Sequence, residues 1–437
     1  MQEKQNNNSA LIWFRNDLRV QDNVVLNQAI TENKTIIACY FFDPRHYENS
    51  HFGFKKTDKF RTQFLIETIQ DLKANLKPLN IELFVFNEKP EIVIQQLIKD
   101  YNINSIYLQK EWTSEEQDVL QKVKCSVSTN VRYIELYNQF LYHPEDINMS
   151  FSEIPQVFTN FRKKVEKYSK VRASKISHSV EKIEVITNIT KIPTLQNLGF
   201  EDFETHPNSA FPFKGGETSA LNRLNEYFFE TKKLGVYKKT RNGLVGKDYS
   251  SKFSAWLANG SISPRIIYWQ VILFEKEHYK NESTYWLIFE LIWRDYFKYV
   301  SLKHHNDIFK IDGILKKEYD WKSDEKQIQK WINGKTKSAF VNANMVELKK
   351  TGWMSNRGRQ NVASFFAKEM LLDWRIGAAY FESVLIDYDV HSNYGNWMYV
   401  AGVGNDPRDR KFNVKLQEER YDASGKFQKL WLQETLF

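Results

Sequence analysis

The sequence predicts two unlike halves: an α/β domain on a parallel five-stranded sheet and, after a connector, an all-α domain. Short apolar runs alternate with helically spaced segments over the first third of the chain. Helical spacing takes over after residue 214, and ten of the twelve tryptophans lie beyond residue 250. Indoles usually build cores, but their concentration in one half suits a domain that handles a planar ligand or a base.

Residues 10–14, 35–42, 81–86, 105–108 and 131–136 read as short apolar strands. Residues 23–31, 58–76, 91–100 and 114–124, between them, carry helical spacing. Such alternation implies a parallel sheet covered on both faces. A dinucleotide-binding domain would place G-x-G-x-x-G after its first strand. Here Trp13-Phe14-Arg15-Asn16-Asp17-Leu18-Arg19 follows instead, which disfavours that chemistry.

Residues 140–213 read as a connector, punctuated by Pro144, Pro155, Pro193, Pro207 and Pro212, with one helix over 158–168. Residues 170–191 show no clear period. Gly215-Gly216-Glu217 marks the turn into the next domain. The organisation is therefore 1–139, 140–213 and 214–437. Helices are expected over 218–231, 262–277, 284–303, 324–333, 343–351, 356–372 and 376–386. There is no internal repeat and no low-complexity block.

Two cysteines, Cys39 and Cys125, make no disulfide framework, so a reducing, cytoplasmic setting is expected. Residues 1–9 lack the layout of a secretion signal, and the apolar runs at 36–42 and 285–289 are too short to span a membrane. A soluble, monomeric protein is the expectation. The 437-residue chain carries 62 basic against 54 acidic side chains, net +8. That balance suits a polyanionic partner such as DNA, though a solvated basic surface gives the same count. No zinc-spaced Cys/His set, Walker loop or G-x-S-x-G elbow occurs, so no metal is expected.

Four constellations stand out. Glu290, Trp293 and Arg294 share one face of a helix, where a carboxyl, an indole and a guanidinium can hold a heteroaromatic ligand. Trp353, Asn356, Arg359 and Gln360 point together if Asn356 opens a helix. Asp387 to Trp397 is polar and reads as a loop whose carboxylates and Asn393 can read the polar edge of a ring. Residues 237–241 and then Asp248 to Leu257 surround Lys252 with small hydroxyls suited to phosphate oxygens. Each alone is matched by a bland reading: a surface ion pair, a helix start, a capped loop, a solvated turn.

In this order and at these spacings the four resemble the photolyase and cryptochrome family, most of all its DASH branch. The resemblance is carried by Trp13 to Arg19, Phe42-Asp43-Pro44-Arg45, Gly215 to Thr218, Tyr237-Lys-Lys-Thr-Arg-Asn and Ser251 to Leu257. It continues through Ser283-Thr-Tyr-Trp, Glu290 to Asp295, Met354 to Asn361 and Gly402-Val-Gly-Asn-Asp-Pro-Arg, and is weakest over 170–210.

The resemblance implies a Rossmann-like antenna domain, an FAD-binding helical domain, and repair of cyclobutane pyrimidine dimers by electron transfer from reduced, blue-light-excited FAD. Such a protein is a light-dependent carbon–carbon lyase. Tyr237 and Ser250, Ser251, Lys252, Phe253 and Ser254 match the FAD phosphate and ribityl contacts. Arg359 and Asp387 match the ion pair beside the isoalloxazine, with Asp389 near its edge and Asn393 facing N5; Arg294 belongs to the same set. Trp374, Trp321 and Trp397 match the electron-transfer tryptophans. Glu290, Trp293 and Asn356 match the catalytic, lesion-facing wall.

Arg357, Arg408, Arg410 and Lys411 are candidates for DNA phosphate contacts. Tyr399 and Gln360 stand where ordinary photolyases place Trp and Met, and Ala255 replaces the usual Pro. The smaller stacking area and more polar wall fit a preference for single-stranded DNA; RNA is a further candidate partner. Glu111 matches a contact to a 5,10-methenyltetrahydrofolate antenna. The alternative is a blue-light receptor that signals through a protein partner or DNA without repair.

Overall fold

The computed structural model describes residues 9–127, 130–175 and 186–433. The sequence readings on residues 1–8 and on part of 170–191 lie outside them. Five parallel strands form one sheet in the order β3-β2-β1-β4-β5: β1 (Ser9–Trp13), β2 (Thr35–Phe41), β3 (Leu83–Phe86), β4 (Ser105–Gln109) and β5 (Arg132–Leu136). Every residue of β1 is buried, as a central strand covered on both faces requires. The covering helices are α1 (Val24–Glu32), α2 (Lys59–Leu76), α3 (Pro90–Tyr101) and α4 (Ser114–Ser126). Asn23 caps α1, accepting from the backbone N–H of Val25 and Leu26.

The stretch 140–213 is more than a link. Its helix α5 (Phe158–Tyr168) and the side chains of Phe140, Leu141, Phe161, Val165 and Phe211 belong to the core of the helical half. The N–H groups of Leu141 and Tyr142 donate to the buried carboxylate of Asp295 at 2.8–3.0 Å. Burial pushes Asp295 up to about 6 against the pull of those bonds.

The helical half contains α6 (Glu217–Asn225), α7 (Tyr237–Thr240), α8 (Ser254–Ala258), α9 (Pro264–Glu277) and α10 (Glu282–His304). It continues with α11 (Glu325–Ile332), α12 (Ala339–Thr351), α13 (Asn356–Ser364), α14 (Trp374–Val384), α15 (Val390–Ala401), α16 (Val414–Tyr421) and α17 (Lys426–Leu432). The 23-residue α10 is the spine, capped by Asn281 and buried along much of its length.

Three expectations are corrected. The helix read over 218–231 leaves α-geometry at Glu226–Glu230, and the one read over 356–372 does so at Phe365–Glu369, both as π-turns. A single π-turn adds about one residue to an otherwise helical run, a phase shift too small for periodicity to reveal. The stretch from Asp387 to Trp397 is not a loop: from Val390 it is helix α15. Asp389 caps it by accepting from Ser392 N–H, and Gly402, at φ 84°, ends it.

The segment after β1 fastens the halves together. Buried Arg19 donates to the carbonyls of Gly260 and Asn138, both at 3.0 Å. Glu217 accepts from the N–H groups of Val20 and Gln21, and Arg265 pairs with Asp22 at 2.8 Å. The Trp13-to-Arg19 motif is thus structural, placed between the sheet and the helices.

Candidate functional site

Two adjoining cavities open among the C-terminal helices. The first, about 250 Å³, is lined by Tyr237 of α7, by Ser250, Ser251, Lys252 and Phe253, and by Ser254 at the start of α8. Its other side is formed by Glu290 and Arg294 of α10, Asn356 and Arg359 of α13, and Asp387, Asp389 and Ser392. Lys252 adopts φ +68°, which turns its side chain inward. Its ammonium lies 3.3 Å from the Tyr249 ring centroid and 4.8 Å from that of Trp353. Burial lowers the Lys252 pKa well below its ordinary value, and pushes nearby Glu347 up to about 8 against the pull of Lys252.

Arg359 meets Asp387 at 2.9 Å and donates from Nε to the Met354 carbonyl, so its head is held on two sides. Lys298 meets Asp389 at 2.8 Å, both buried. Burial works against ionisation of Asp389, but Lys298, His391 and Arg294 outweigh it and hold the carboxyl far below the usual range. Arg294 donates to the carbonyls of Gln139 at 2.6 Å and Leu257 at 3.0 Å, so it ties the cavity wall to the preceding segments. Asn393 is buried, with Nδ2 donating to the Ala378 carbonyl at 3.0 Å; on that turn Ser392 is the residue that lines the cavity.

The second cavity, about 410 Å³, shares Arg241, Glu290, Arg294, Asn356 and Ser392 with the first. Trp286, Trp293, Gln360, Tyr399, Arg357 and Arg410 border it. Trp293 stacks on Phe158 at 3.7 Å and 11°, which fixes its plane, and Tyr399 meets it edge-on at 6.1 Å. Glu290 is paired with Arg241 at 2.8 Å; burial raises its pKa and Arg241 opposes the rise. Arg357 spans Gln360 and Asn242 at 2.9 and 3.2 Å. Arg408, Arg410 and Lys411 are exposed on the following segment, where Arg410 pairs with Asp406 and donates to the Tyr399 hydroxyl.

The three singled-out indoles gather around α14. Trp374 starts it, fully buried, with Nε1 donating to the Ile311 carbonyl. Trp397 packs so closely on Gly377 that a Cβ there would come within 2.2 Å of the indole. Half-buried Trp321 precedes Lys322, which bridges to Leu372 just before α14.

A third cavity, about 400 Å³, lies between the halves and reaches Arg294 and Asp389 from the other side. Glu111 lines it, accepting from Gln109 Nε2 at 2.7 Å, and burial pushes its carboxyl up to about 7. Sequence reasoning did not single out Lys298, Glu347 or Trp331, and it named Arg241 and Trp286 only within motifs, without a role. Only a helical phase for α10 would have shown that Trp286 lies one turn from Glu290 and Lys298 one turn from Arg294.

Comparison with known proteins fits this geometry. Residues 10–181 match the DNA photolyase family model, and residues 286–436 match the FAD binding domain of DNA photolyase. A Cryptochrome DASH of Xenopus laevis is 46% identical over 427 residues, 96% of this chain and 82% of that protein. The chain belongs to the photolyase and cryptochrome family, on its DASH branch.

Solved structures of photolyases and cryptochromes are also similar in shape. The crystal structure of a Synechocystis cryptochrome superposes with a TM-score of 0.93 at 43% identity, covering 97% of this chain and 88% of that one. An archaeal photolyase from Sulfolobus tokodaii, solved with two FAD molecules, gives 0.78 at 26% identity, covering 98% and 90%. The first cavity suits the family's flavin: Lys252 Nζ and Arg241 Nε are buried there without a hydrogen-bond partner, as donors facing a polar ligand would be. Among the described residues no His/Cys/Asp/Glu group could hold a metal, and no helix is long and apolar enough to cross a membrane.

Proposed function

We propose that this protein is a blue-light-driven FAD photolyase of the DASH type that splits cyclobutane pyrimidine dimers, mainly in single-stranded DNA. The observation that carries the reading is the shared wall: Glu290, Asn356, Arg241, Arg294 and Ser392 line both the cavity suited to the flavin and the cavity suited to extruded bases.

Bound FAD, once reduced and excited by blue light, supplies the electron that opens the dimer ring. The chain's residues do the rest. Tyr237 and residues 250–254 would hold the phosphates and ribityl chain, and Arg359, Asp387 and Asp389 would hold the isoalloxazine, with Asn393 behind Ser392 on the adjoining turn. Burial raises the Glu290 pKa toward the protonated form, the form that would donate a hydrogen bond to a dimer carbonyl and stabilise the charge that develops there. Trp293 and Tyr399 offer ring surfaces to the extruded bases, while Arg357, Arg408, Arg410 and Lys411 meet the phosphates.

Extrusion from a duplex costs unstacking and unpairing that a single strand does not require. The Tyr399 and Gln360 wall offers modest stacking in return, so the single strand is the better substrate. The cavity between the halves is the site we assign to a folate antenna, with Glu111 receiving hydrogen bonds from the pterin edge.

The test is blue-light treatment of a UV-irradiated oligothymidylate with chemically reduced protein, single-stranded and in duplex. Dimer loss is expected in both, faster in the single strand. No loss beyond the dark control rejects repair, and photoreduction without repair would favour a light receptor instead.

A further inference from the structure

A phenol and a carboxylate stand beside the outermost indole. The ring of Tyr319 lies 5.1 Å from that of Trp321, inclined at 45°. Its hydroxyl donates to Asp409 Oδ2 at 2.8 Å. Lys368 holds Asp409 from the other side at 2.5 Å and lies 4.4 Å from the centre of the Tyr319 ring.

The arrangement is built rather than incidental. At Gly402, φ +84°, a Cβ would meet Asp409 Oδ1 at 1.9 Å, Lys368 Nζ at 2.5 Å and Tyr319 Oη at 2.7 Å. Only a residue without a side chain lets the three groups converge at the end of α15, the helix that carries Trp397. Asp409 itself sits at φ +45°, a conformation that non-glycine residues adopt sparingly.

We propose that Tyr319 is the terminal electron donor of the indole chain and Asp409 its proton acceptor. This rests on the reading of Trp321 as the outermost indole of a chain that reduces the flavin under light. An oxidised phenol is strongly acidic, so tyrosine gives up an electron readily only where its proton has somewhere to go.

The step balances. The Trp321 radical cation, left when an electron has moved inward toward the photoexcited oxidised flavin, takes one electron from Tyr319. The phenol O–H bond breaks and the proton joins Asp409 Oδ2. The products are a neutral indole, a neutral phenoxyl radical and a carboxylic acid, with zero net charge on the three groups before and after. Asp409 is half exposed and can pass the proton to water; a soluble thiol then reduces the phenoxyl.

The resting protonation states fit. Burial and the Asp409 charge push Tyr319 up to about 12, so the phenol keeps its proton at neutral pH. Burial works against ionisation of Asp409, but bonds from Lys368 and Tyr319 outweigh it and keep the acceptor charged. Transfer of the hole onto a neutral radical removes the charge that draws the electron back, which lengthens the life of the reduced flavin.

The experiment is flash illumination of the oxidised holoprotein, with transient absorption and electron paramagnetic resonance of freeze-quenched samples. It compares parent, Tyr319→Phe, Asp409→Asn and Trp321→Phe. Parent should show a tyrosyl radical that forms more slowly in heavy water. Tyr319→Phe should lose that signal and show a shorter-lived tryptophanyl radical instead, and Asp409→Asn should behave likewise although the phenol is present. A tyrosyl signal that persists in Tyr319→Phe, or its absence in parent while a tryptophanyl radical forms, overturns the proposal. Photoreduction unchanged in Trp321→Phe overturns the chain reading itself, and the Tyr319 role with it.

Discussion

The Arg241 guanidinium meets the Glu290 carboxyl at 2.8 Å on the wall that the two cavities share. Glu290→Ala removes the group placed to hydrogen-bond the dimer. Dimer splitting by chemically reduced protein should fall by about 10²–10³-fold, while photoreduction of bound flavin should keep its parent rate. Equal repair rates in variant and parent would remove Glu290 from the chemistry.

The buried Lys298–Asp389 pair, at 2.8 Å, holds the first turn of α15 beneath the flavin cavity. Lys298→Met leaves Asp389 charged and unpaired in the interior, at a cost of about 3–5 kcal/mol. The double variant Lys298→Met/Asp389→Asn should recover much of that loss in urea unfolding. Additive losses would show that the two residues act separately.

Glu111 titrates at about 7 in the fold, against about 4.3 in an unfolded chain. Its contribution to stability is full below the lower value and is lost as pH rises through the higher one. The unfolding midpoint of Glu111→Gln should therefore gain on that of the parent as pH rises from about 5 to about 7. The same variant should retain less added folate, read from absorbance after desalting. Unchanged folate retention would remove Glu111 from the antenna site.

Trp374 is fully buried at the start of α14, whose Gly377 packs on the Trp397 indole and which follows the Leu372 bridge to Lys322, next to Trp321. Trp374→Phe should slow flavin photoreduction and spare dimer splitting by protein already reduced with dithionite. Equal photoreduction in the two proteins would take Trp374 out of the electron path.

The sheet was legible because its strands are short apolar runs set between helical spacings, and β1 to β5 begin and end close to the positions read from the sequence. Helix α15 was not, because Ser392, Asn393, Gly395 and Asn396 are poor helix formers. Packing decides it instead: Gly395 faces Phe297, where a Cβ would meet the ring at 2.2 Å, and Asp389 closes the first turn. The core role of residues 140–211 was hidden behind scattered prolines, since only the fold brings Phe140 and Phe161 against Tyr299 of α10 and Phe211 against Trp256 and Trp353. In the site, residues grouped by helical spacing were visible as sets. Their partners were not, because Lys298 and Asp389, or Arg241 and Glu290, meet only when distant segments fold together.

The most direct measurement is the absorption spectrum of the purified protein before and after blue light in the presence of a thiol. The expected result is the spectrum of bound oxidised flavin, bleaching on illumination in parent and in Glu290→Ala alike. Colourless protein that takes up no FAD on reconstitution would contradict the assignment of the cavity between α7, α10 and α13.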